Sequence, residues 1–271
     1  MTDQDQPPAP EPVSNKALWL SPVDWVTDTG LLLRLLTRLP APAAGPVVFG
    51  GRLARALRTI PLVGAIVGAI GGLAYVVALW LGLAPAIAAI LAVLATLVAT
   101  GAYHEDGFAD TCDGLGGSFD REKKLAIMQD SRHGTFGVAA VVTTLLLRIA
   151  ALATIADPML VVTALIATHA AARAFLPAAM LWGNPAKSDG QGFAAGKPER
   201  ASAWAALALA VIVALIALGF VALPALAAGA VAAFAMFAIA RRQVGGYTGD
   251  VLGAIEQVAE IAMLLCLAAL L

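Results

Sequence analysis

Charged residues are scarce in this sequence: they make up 13% of its 271 residues, whereas hydrophobic residues make up 60%. A soluble domain carries about 25% charged residues, so the composition excludes an ordinary soluble globular protein. The two cysteines, Cys112 and Cys266, are far apart and lack a CxxC spacing, which gives no support to a disulfide framework or a zinc site. No basic tract indicates a nucleic-acid partner.

The start of the chain also lacks the features of a signal peptide. It has neither a basic first segment nor an apolar one, and it is rich in Pro, Asp and Gln. We therefore expect residues 1–16 to be a disordered tail and residues 17–271 to form a single integral membrane domain. Segment 17–39 mixes tryptophans and charges with leucines, which predicts an N-terminal amphipathic helix in the membrane interface. A short additional span is the alternative.

Apolar runs long enough to cross a bilayer fill most of the remaining sequence. They predict an all-α fold, a polytopic transmembrane helical bundle of about seven spans. A stretch without charges near the C-terminal end is expected to hold two of them, divided near Pro224. The expected ranges are 60–83, 86–103, 134–156, 159–182, two spans within 201–240, and 251–271.

Long charged connections alternate with short uncharged turns along the chain. With seven spans, the N-terminus and the long loops 104–133, 184–200 and 241–250 fall on one face, which carries most of the Lys and Arg residues. The positive-inside rule makes that face cytoplasmic. We expect these three loops to carry the catalytic residues, with the middle loop either closing over a substrate or serving as a flexible connector.

Glycines recur at every fourth position of the first span, at Gly64, Gly68 and Gly72. Small residues at this spacing let two helices approach closely. We interpret the pattern as internal packing, with a seam between two copies of the chain as the alternative.

An acidic block follows the second predicted span. If the chain is helical here, the spacing of Asp106, Asp110 and Asp113 puts all three on one face. Stacked like charges need a cation, and carboxylate oxygens are the ligands that Mg²⁺ takes. Asp130 and Asp250 are further candidate ligands, although Asp250 could equally cap the last span. A solvated acidic loop is the simpler alternative.

Residues suited to phosphate follow the aspartates. Gly114, Gly116 and Gly117 would let backbone amides approach an anion, and Arg132 could form a bidentate pair with phosphate. His104 is a candidate metal ligand or general base, or else a polar residue of the membrane interface.

Four charges lie inside predicted spans, where an unpaired charge is costly. Glu256 and Glu260 share one face of the last span, and Arg148 and Arg173 lie at comparable depths in two others. We predict that a glutamate pairs with an arginine here. Such pairs would either lock the bundle or form the floor of a polar cavity, in which Arg173 would contact the substrate.

Four segments, in this order, resemble cobalamin synthase, the adenosylcobinamide-GDP ribazoletransferase family. They span most of the chain, and His133 departs from the pattern at a position where an apolar residue is expected. The segments are Thr37-Arg38-Leu39-Pro40, the block 104–117 with its Asp-Gly-x-Ala-Asp-x-x-Asp-Gly core, Asp130-Ser131-Arg132-x-Gly, and Gly245-Gly246-x-Thr248-Gly249-Asp250.

The resemblance implies a bacterial inner-membrane enzyme of cobalamin biosynthesis. It would join adenosylcobinamide-GDP to α-ribazole, or to α-ribazole 5′-phosphate, release GMP and require Mg²⁺. The acidic block would carry the metal, with Asp106, Asp110 and Asp113 as ligands and Asp130 or Asp250 completing the set. Arg132 would hold the diphosphate, and His104 or Asp113 would take the proton of the acceptor hydroxyl.

Two other functions fit parts of the pattern. A CDP-alcohol phosphotransferase of lipid synthesis also carries spaced aspartates at membrane helix ends, but this chain lacks that family's Asp-Gly-x-x-Ala-Arg element. An ion-coupled transporter would place its site near the bilayer midplane, whereas most carboxylates here lie in loops. The expected partners are the two substrates and the lipid bilayer, and the sequence leaves a homo-oligomer open.

Overall fold

The computed structural model describes residues 21–41 and 51–271, and this part of the chain is helical without any strand. Short 3₁₀ turns at Leu57–Thr59 and Gly219–Val221 each lead directly into the following helix. The helices are α1 Pro22–Leu36, α2 Gly51–Ala56, α3 Ile60–Trp80, α4 Pro85–Thr100, α5 Tyr103–Gly117, α6 Arg121–Ile127, α7 Thr135–Ile155, α8 Pro158–Trp182, α9 Gly190–Ala194, α10 Arg200–Leu218, α11 Ala222–Val244 and α12 Gly249–Leu270. The prediction of an all-α membrane bundle is confirmed.

Five helical stretches of the described residues are long and apolar enough to cross a membrane, or six if the bent pair α4–α5 is one span. One of the five, Arg200–Val244, has 45 residues, which at 1.5 Å per residue is about twice the thickness of the hydrocarbon core. A break at Gly219–Val221 divides it into α10 and α11. Seven helices therefore match the seven predicted ranges.

The break in this long stretch lies earlier than predicted. Gly219 adopts a positive φ of 60°, which glycine tolerates better than other residues. Pro224 instead lies in the first turn of α11, where the missing amide hydrogen removes no helical bond.

A sharp bend separates the second span from the acidic block. The axes of α4 and α5 differ by 90°, because Gly101 and Ala102 both adopt the left-handed conformation, with φ of 67° and 56°. The predicted span 86–103 therefore ends at Thr100, and α5 follows as a separate helix.

The repeated glycines of α3 pack against α8. A Cβ atom added to Gly64 would lie 2.1 Å from the carbonyl oxygen of His169, and one added to Gly68 would lie 2.3 Å from that of Leu165. Only glycine permits this approach between two backbones. The internal-packing interpretation is confirmed.

The N-terminal helix α1 is tied to the bundle by a buried ion pair. Asp28 lies 3.0 Å from Arg58 and 3.3 Å from Arg55, so α2 and the 3₁₀ turn that leads into α3 are fixed against α1. The predicted helix is observed over Pro22–Leu36. The predicted tail 1–16 and residues 17–20 lie outside the described residues.

Candidate metal and phosphate site

The middle and last loops are joined through their backbones. The amide of Ala186 donates to Tyr247 O at 2.8 Å, and the amide of Tyr247 donates to Asn184 O at 3.0 Å. A Cβ atom on Gly246 would lie 2.1 Å from Asn184 O, so a side chain there would separate the two segments. The first residues of the middle loop are thus held against the last loop.

Side chains tie the loop after α5 to the same two segments. The guanidinium of Arg121 donates to Val244 O at 2.9 Å and to Ala186 O at 2.8 Å. Lys187 donates to Leu125 O at 2.9 Å. All three predicted loops therefore meet at one end of the bundle.

A polar cleft of about 240 Å³ opens where the loops meet. Parts of α5, α9 and the start of α12 form its walls. Burial lowers the pKa of its lysine, Lys187, while Asp189 and Asp250 act in the opposite direction. The side chains that line the cleft and can bind a polar ligand are Tyr103, Asp106, Gln129, Lys187, Asp189, Gln191, Thr248 and Asp250.

Carboxylates from two helices approach one another at this cleft. Asp106 and Asp110 lie one turn apart on α5, and Gly107 brings α5 against α12, since a Cβ atom there would lie 2.9 Å from the Cα of Asp250. We call Asp106, Asp110 and Asp250 the acidic face. Asp106 and Asp250 line the cleft directly.

The acidic face is electrostatically unfavourable by itself. Burial, followed by the charges of Asp106 and Asp250, raises the pKa of Asp110 on α5 to about 6, while His133 acts in the opposite direction. The His133 ring lies 3.7 Å from Asp106 Oδ1 and 3.6 Å from Asp110 Oδ1. The residue that departs from the family pattern therefore sits beside two predicted ligands.

Asp250 is not the cap of the last span. Thr248 is, because its hydroxyl accepts a hydrogen bond from the amide of Val251 at 3.2 Å. The same hydroxyl donates to Asp250 Oδ2 at 3.1 Å. The capping alternative for Asp250 is wrong, and its carboxylate remains directed into the cleft region.

Asp113 has a different environment from the acidic face. Its carboxylate accepts hydrogen bonds from the amides of Gly134 at 2.6 Å and Gly137 at 2.8 Å, and it is largely buried. It thus satisfies free amides at the start of α7. Both carboxylate oxygens thus have amide partners, and Asp113 does not line the cleft.

Asp130 and Arg132 bind each other at the surface. The Arg132 guanidinium donates to both carboxylate oxygens, at 3.0 and 2.7 Å, and these bonds lower the pKa of Asp130 to about 2. Neither residue lines the cleft. The fourth ligand and the phosphate arginine of the prediction are therefore paired with each other and lie outside the cleft lining.

The three glycines predicted to bind phosphate lie inside α5, where backbone amides serve the helix. Their missing side chains make room for neighbours instead. A Cβ atom added to Gly114 would lie 2.5 Å from Met128, one added to Gly116 would lie 2.8 Å from Phe136, and one added to Gly117 would lie 3.0 Å from Ile127. The geometry therefore explains them by packing and does not provide an anion-binding loop.

Beneath the cleft, charged side chains form a buried ion-pair layer. Arg173 lies 2.7 Å from Glu256, and Arg148 lies 2.9 Å from Glu260, which confirms the predicted pairing. Glu105, which sequence reasoning did not select, accepts from Arg148 at 2.8 Å and from Gln257 at 3.2 Å. Because Arg173 is buried and paired, it is not available to a substrate in the cleft, contrary to prediction.

Part of this layer resembles a metal site. Oxygen and nitrogen atoms of His169, Glu256 and Glu260 lie within 4.8 Å of one another, the one such group of three among the described residues. Each glutamate already faces a buried guanidinium, however. A dication there would have to sit beside two arginines, so charge balance favours an ion-pair cluster.

His104 lies between the cleft and this layer. Its ring is 2% exposed, and Nδ1 is 3.4 Å from Glu256 Oε2. Its Nε2 has no hydrogen-bond partner within the described part of the chain. Its ring packs edge-on against Tyr103, and it does not line the cleft.

Some site residues were missed by sequence reasoning. Lys187 and Gln191 belong to a loop whose polar residues looked like those of any connector, and only the pairing with Tyr247 puts them at the cleft. The signal that could have found them is the glycine at 246, which excludes a side chain where two loops cross.

Comparisons with known proteins agree on one family. The profile of the family described as "Cobalamin-5-phosphate synthase" matches residues 28–268. Proteins named adenosylcobinamide-GDP ribazoletransferase are similar to this chain: that of Bradyrhizobium diazoefficiens is 46% identical over 90% of this chain and 94% of its own length. That of Mesorhizobium japonicum is 42% identical over 92% and 95%, and that of Xanthobacter autotrophicus is 44% identical over 88% and 94%. No solved structure matches the chain.

Proposed function

The chain belongs to the cobalamin-5-phosphate synthase family, and from this membership we propose that it is an adenosylcobinamide-GDP ribazoletransferase acting at the cleft. It transfers the adenosylcobinamide-phosphate group to α-ribazole, or to its 5′-phosphate, and releases GMP. The names of its relatives do not favour a lipid phosphotransferase or a transporter.

One observation supports the cleft as the reaction site: Asp106 and Asp250 line it, Asp110 lies one turn from Asp106 on α5, and no arginine or lysine among the described residues forms an ion pair with any of the three. The residues present fit Mg²⁺, since hard carboxylate oxygens and open positions for phosphate are what this ion takes. Asp106, Asp110 and Asp250 would hold it. When bound, the ion would neutralise charge on the diphosphate of the donor.

Groups in the cleft are suited to bind the diphosphate of the donor. The Lys187 ammonium, in the cleft wall, would bind diphosphate oxygens as a point charge. The first turn of α12 faces the same space, and its amides favour an anion. A hydroxyl of the acceptor ribose attacks the phosphorus attached to cobinamide, the bond to the GMP oxygen breaks, and the hydroxyl proton is released to solvent. The diphosphate contacts hold the attacking and leaving oxygens in line.

We further propose that the loops face the cytoplasm of a bacterial inner membrane. The loops contain Arg121, Lys123, Lys124 and Lys187, and loops rich in Lys and Arg tend to stay in the cytoplasm. Cytoplasmic access would also admit both water-soluble substrates directly to the cleft.

The test uses the purified full chain with adenosylcobinamide-GDP, α-ribazole and Mg²⁺. We expect stoichiometric GMP and adenosylcobalamin, and adenosylcobalamin 5′-phosphate when the acceptor carries the phosphate. Removal of divalent ions with a chelator should stop the reaction, and added Mg²⁺ should restore it. Absence of product with either acceptor would overturn the activity, whereas product in the presence of chelator would overturn the metal alone.

A further inference from the structure

An apolar pocket adjoins the polar cleft. Its outer wall consists of aliphatic side chains from α1, α2 and the start of α3. Tyr103, Gln191, Gly192 and Gly249 line both the pocket and the cleft, so the two spaces are continuous. The aliphatic residues of the outer wall are Leu32, Leu35, Leu36, Leu53, Leu57 and Ile60.

The pocket contains one buried polar side chain that lacks a full set of partners. His104 lines it and is 2% exposed, and Nε2 has no partner within the described residues. An unsatisfied buried polar group costs about 1–3 kcal/mol, so a ligand that pairs with it gains affinity. The other nitrogen, Nδ1, is directed at Glu256.

We propose that this pocket binds the dimethylbenzimidazole base of α-ribazole while the ribose lies in the cleft. This inference rests on the proposed function. The base is a flat apolar ring system with two methyl groups and one ring nitrogen free to accept a hydrogen bond. His104 would donate from its unpartnered Nε2 to that nitrogen.

Other parts of the substrates fit this pocket less well. Guanine carries several donors and acceptors, and most of them would be left unpaired against leucine side chains. The pocket has a volume of about 70 Å³, and aliphatic side chains surround it, which does not suit a large corrin ring with polar amide side chains. The benzimidazole base therefore matches both the apolar wall and the single polar contact.

The test changes the size of the pocket and compares the two substrates. Leu36, which is buried in the pocket wall, is replaced in the variants Leu36→Phe and Leu36→Ala. The matched control is Leu94→Phe, at a half-exposed position on the lipid-facing side of α4. Each protein is assayed with α-ribazole and with the analogue that lacks both methyl groups, and KM is measured for acceptor and donor separately.

Leu36→Phe should raise KM for α-ribazole by about tenfold or more, and should leave KM for adenosylcobinamide-GDP within about twofold of the control. The wild type should prefer α-ribazole over the demethylated analogue by about tenfold, and both Leu36 variants should reduce that preference. A rise in KM for adenosylcobinamide-GDP instead, or unchanged acceptor KM and preference, would overturn the inference.

Equilibrium binding tests the pocket separately from the proposed activity. Its wild-type measurements also remain informative if a variant fails to fold. The wild type should bind α-ribazole without the donor, free 5,6-dimethylbenzimidazole should compete, and guanosine should not. Leu36→Ala should weaken binding of α-ribazole more than of the demethylated analogue. Binding with this pattern but no GMP release would contradict only the activity, whereas GMP release without competition by the free base would contradict only the pocket.

Discussion

Two groups of carboxylates lie close to each other on α5 and α12, and they differ in how their charge is balanced. The glutamates of the buried ion-pair layer each contact an arginine within 2.9 Å. In the acidic face, Asp106 and Asp110 have a histidine at 3.6–3.7 Å, Asp250 accepts from the Thr248 hydroxyl, and none of the three contacts an arginine or lysine within the described residues. The buried layer thus carries its own counterions, whereas the acidic face needs one from outside.

The largest effect should come from breaking a pair in the buried layer. Arg173→Met leaves Glu256 without its 2.7 Å partner, and removing one member of a buried pair costs about 3–5 kcal/mol. We expect a loss of that order in the free energy of unfolding, measured in detergent micelles with denaturant. The double variant Arg173→Met/Glu256→Gln should recover most of it, and a single variant as stable as the wild type would contradict the ion-pair role.

Removing one charge from the acidic face should affect turnover and not stability. Asp110→Asn should lower kcat by about 10²–10³-fold, the size expected for one electrostatic group at a reacting centre, with an unchanged melting temperature. The control is Asp120→Asn, at a cap where Asn also accepts the bond from the Lys123 amide. Near-normal kcat in Asp110→Asn would remove the metal assignment.

Asp113 belongs to neither group of carboxylates, and replacing it tests whether it binds the metal. Asp113→Ala removes the acceptor of the Gly134 and Gly137 amides, and hydrogen bonds to a charged group contribute about 1.5–3 kcal/mol. We expect lower stability of that order by denaturant titration. The Mg²⁺ concentration that gives half-maximal activity should stay the same, and an increase of tenfold or more would return Asp113 to the ligand set.

The smallest effect is a pH dependence of the acidic face. Because the pKa of Asp110 is raised to about 6, the carboxyl takes up a proton as pH falls through 6, and a cation then has to displace it. Apparent Mg²⁺ affinity should therefore be constant above pH 7 and fall by up to about tenfold per pH unit below 6. Titration of activity with Mg²⁺ at several pH values measures this, and a constant affinity down to pH 5 would count against Asp110.

The sequence was most informative where a pattern had one physical explanation. Long apolar runs predicted the spans, the glycines of α3 predicted a close backbone contact, and four charges within spans predicted pairs such as Arg148 with Glu260. Each of these patterns has few structural alternatives in a bilayer, since buried charges need partners and adjacent backbones need small residues.

Prediction failed where a residue type had several uses. Gly114 could let backbone amides bind phosphate or make room for the side chain of Met128, and only the direction of α5 decides between these two roles. That direction depends on Ala102, a non-glycine residue at positive φ, which no local sequence preference indicates. Asp113 shares its spacing with two carboxylates of the acidic face, and its partners come from residues 134 and 137, which its own helix does not specify.

The contact between α5 and the start of α12 sets an order for assembly. Asp106 and Asp110 are synthesised about 140 residues before Asp250, at a rate of about 5–20 residues per second. A nascent chain therefore holds two carboxylates of the acidic face for several seconds before the third exists. The site becomes complete only when the last span inserts and Gly253 packs against His104, so a chain stopped before that span would carry the acidic block without a finished site.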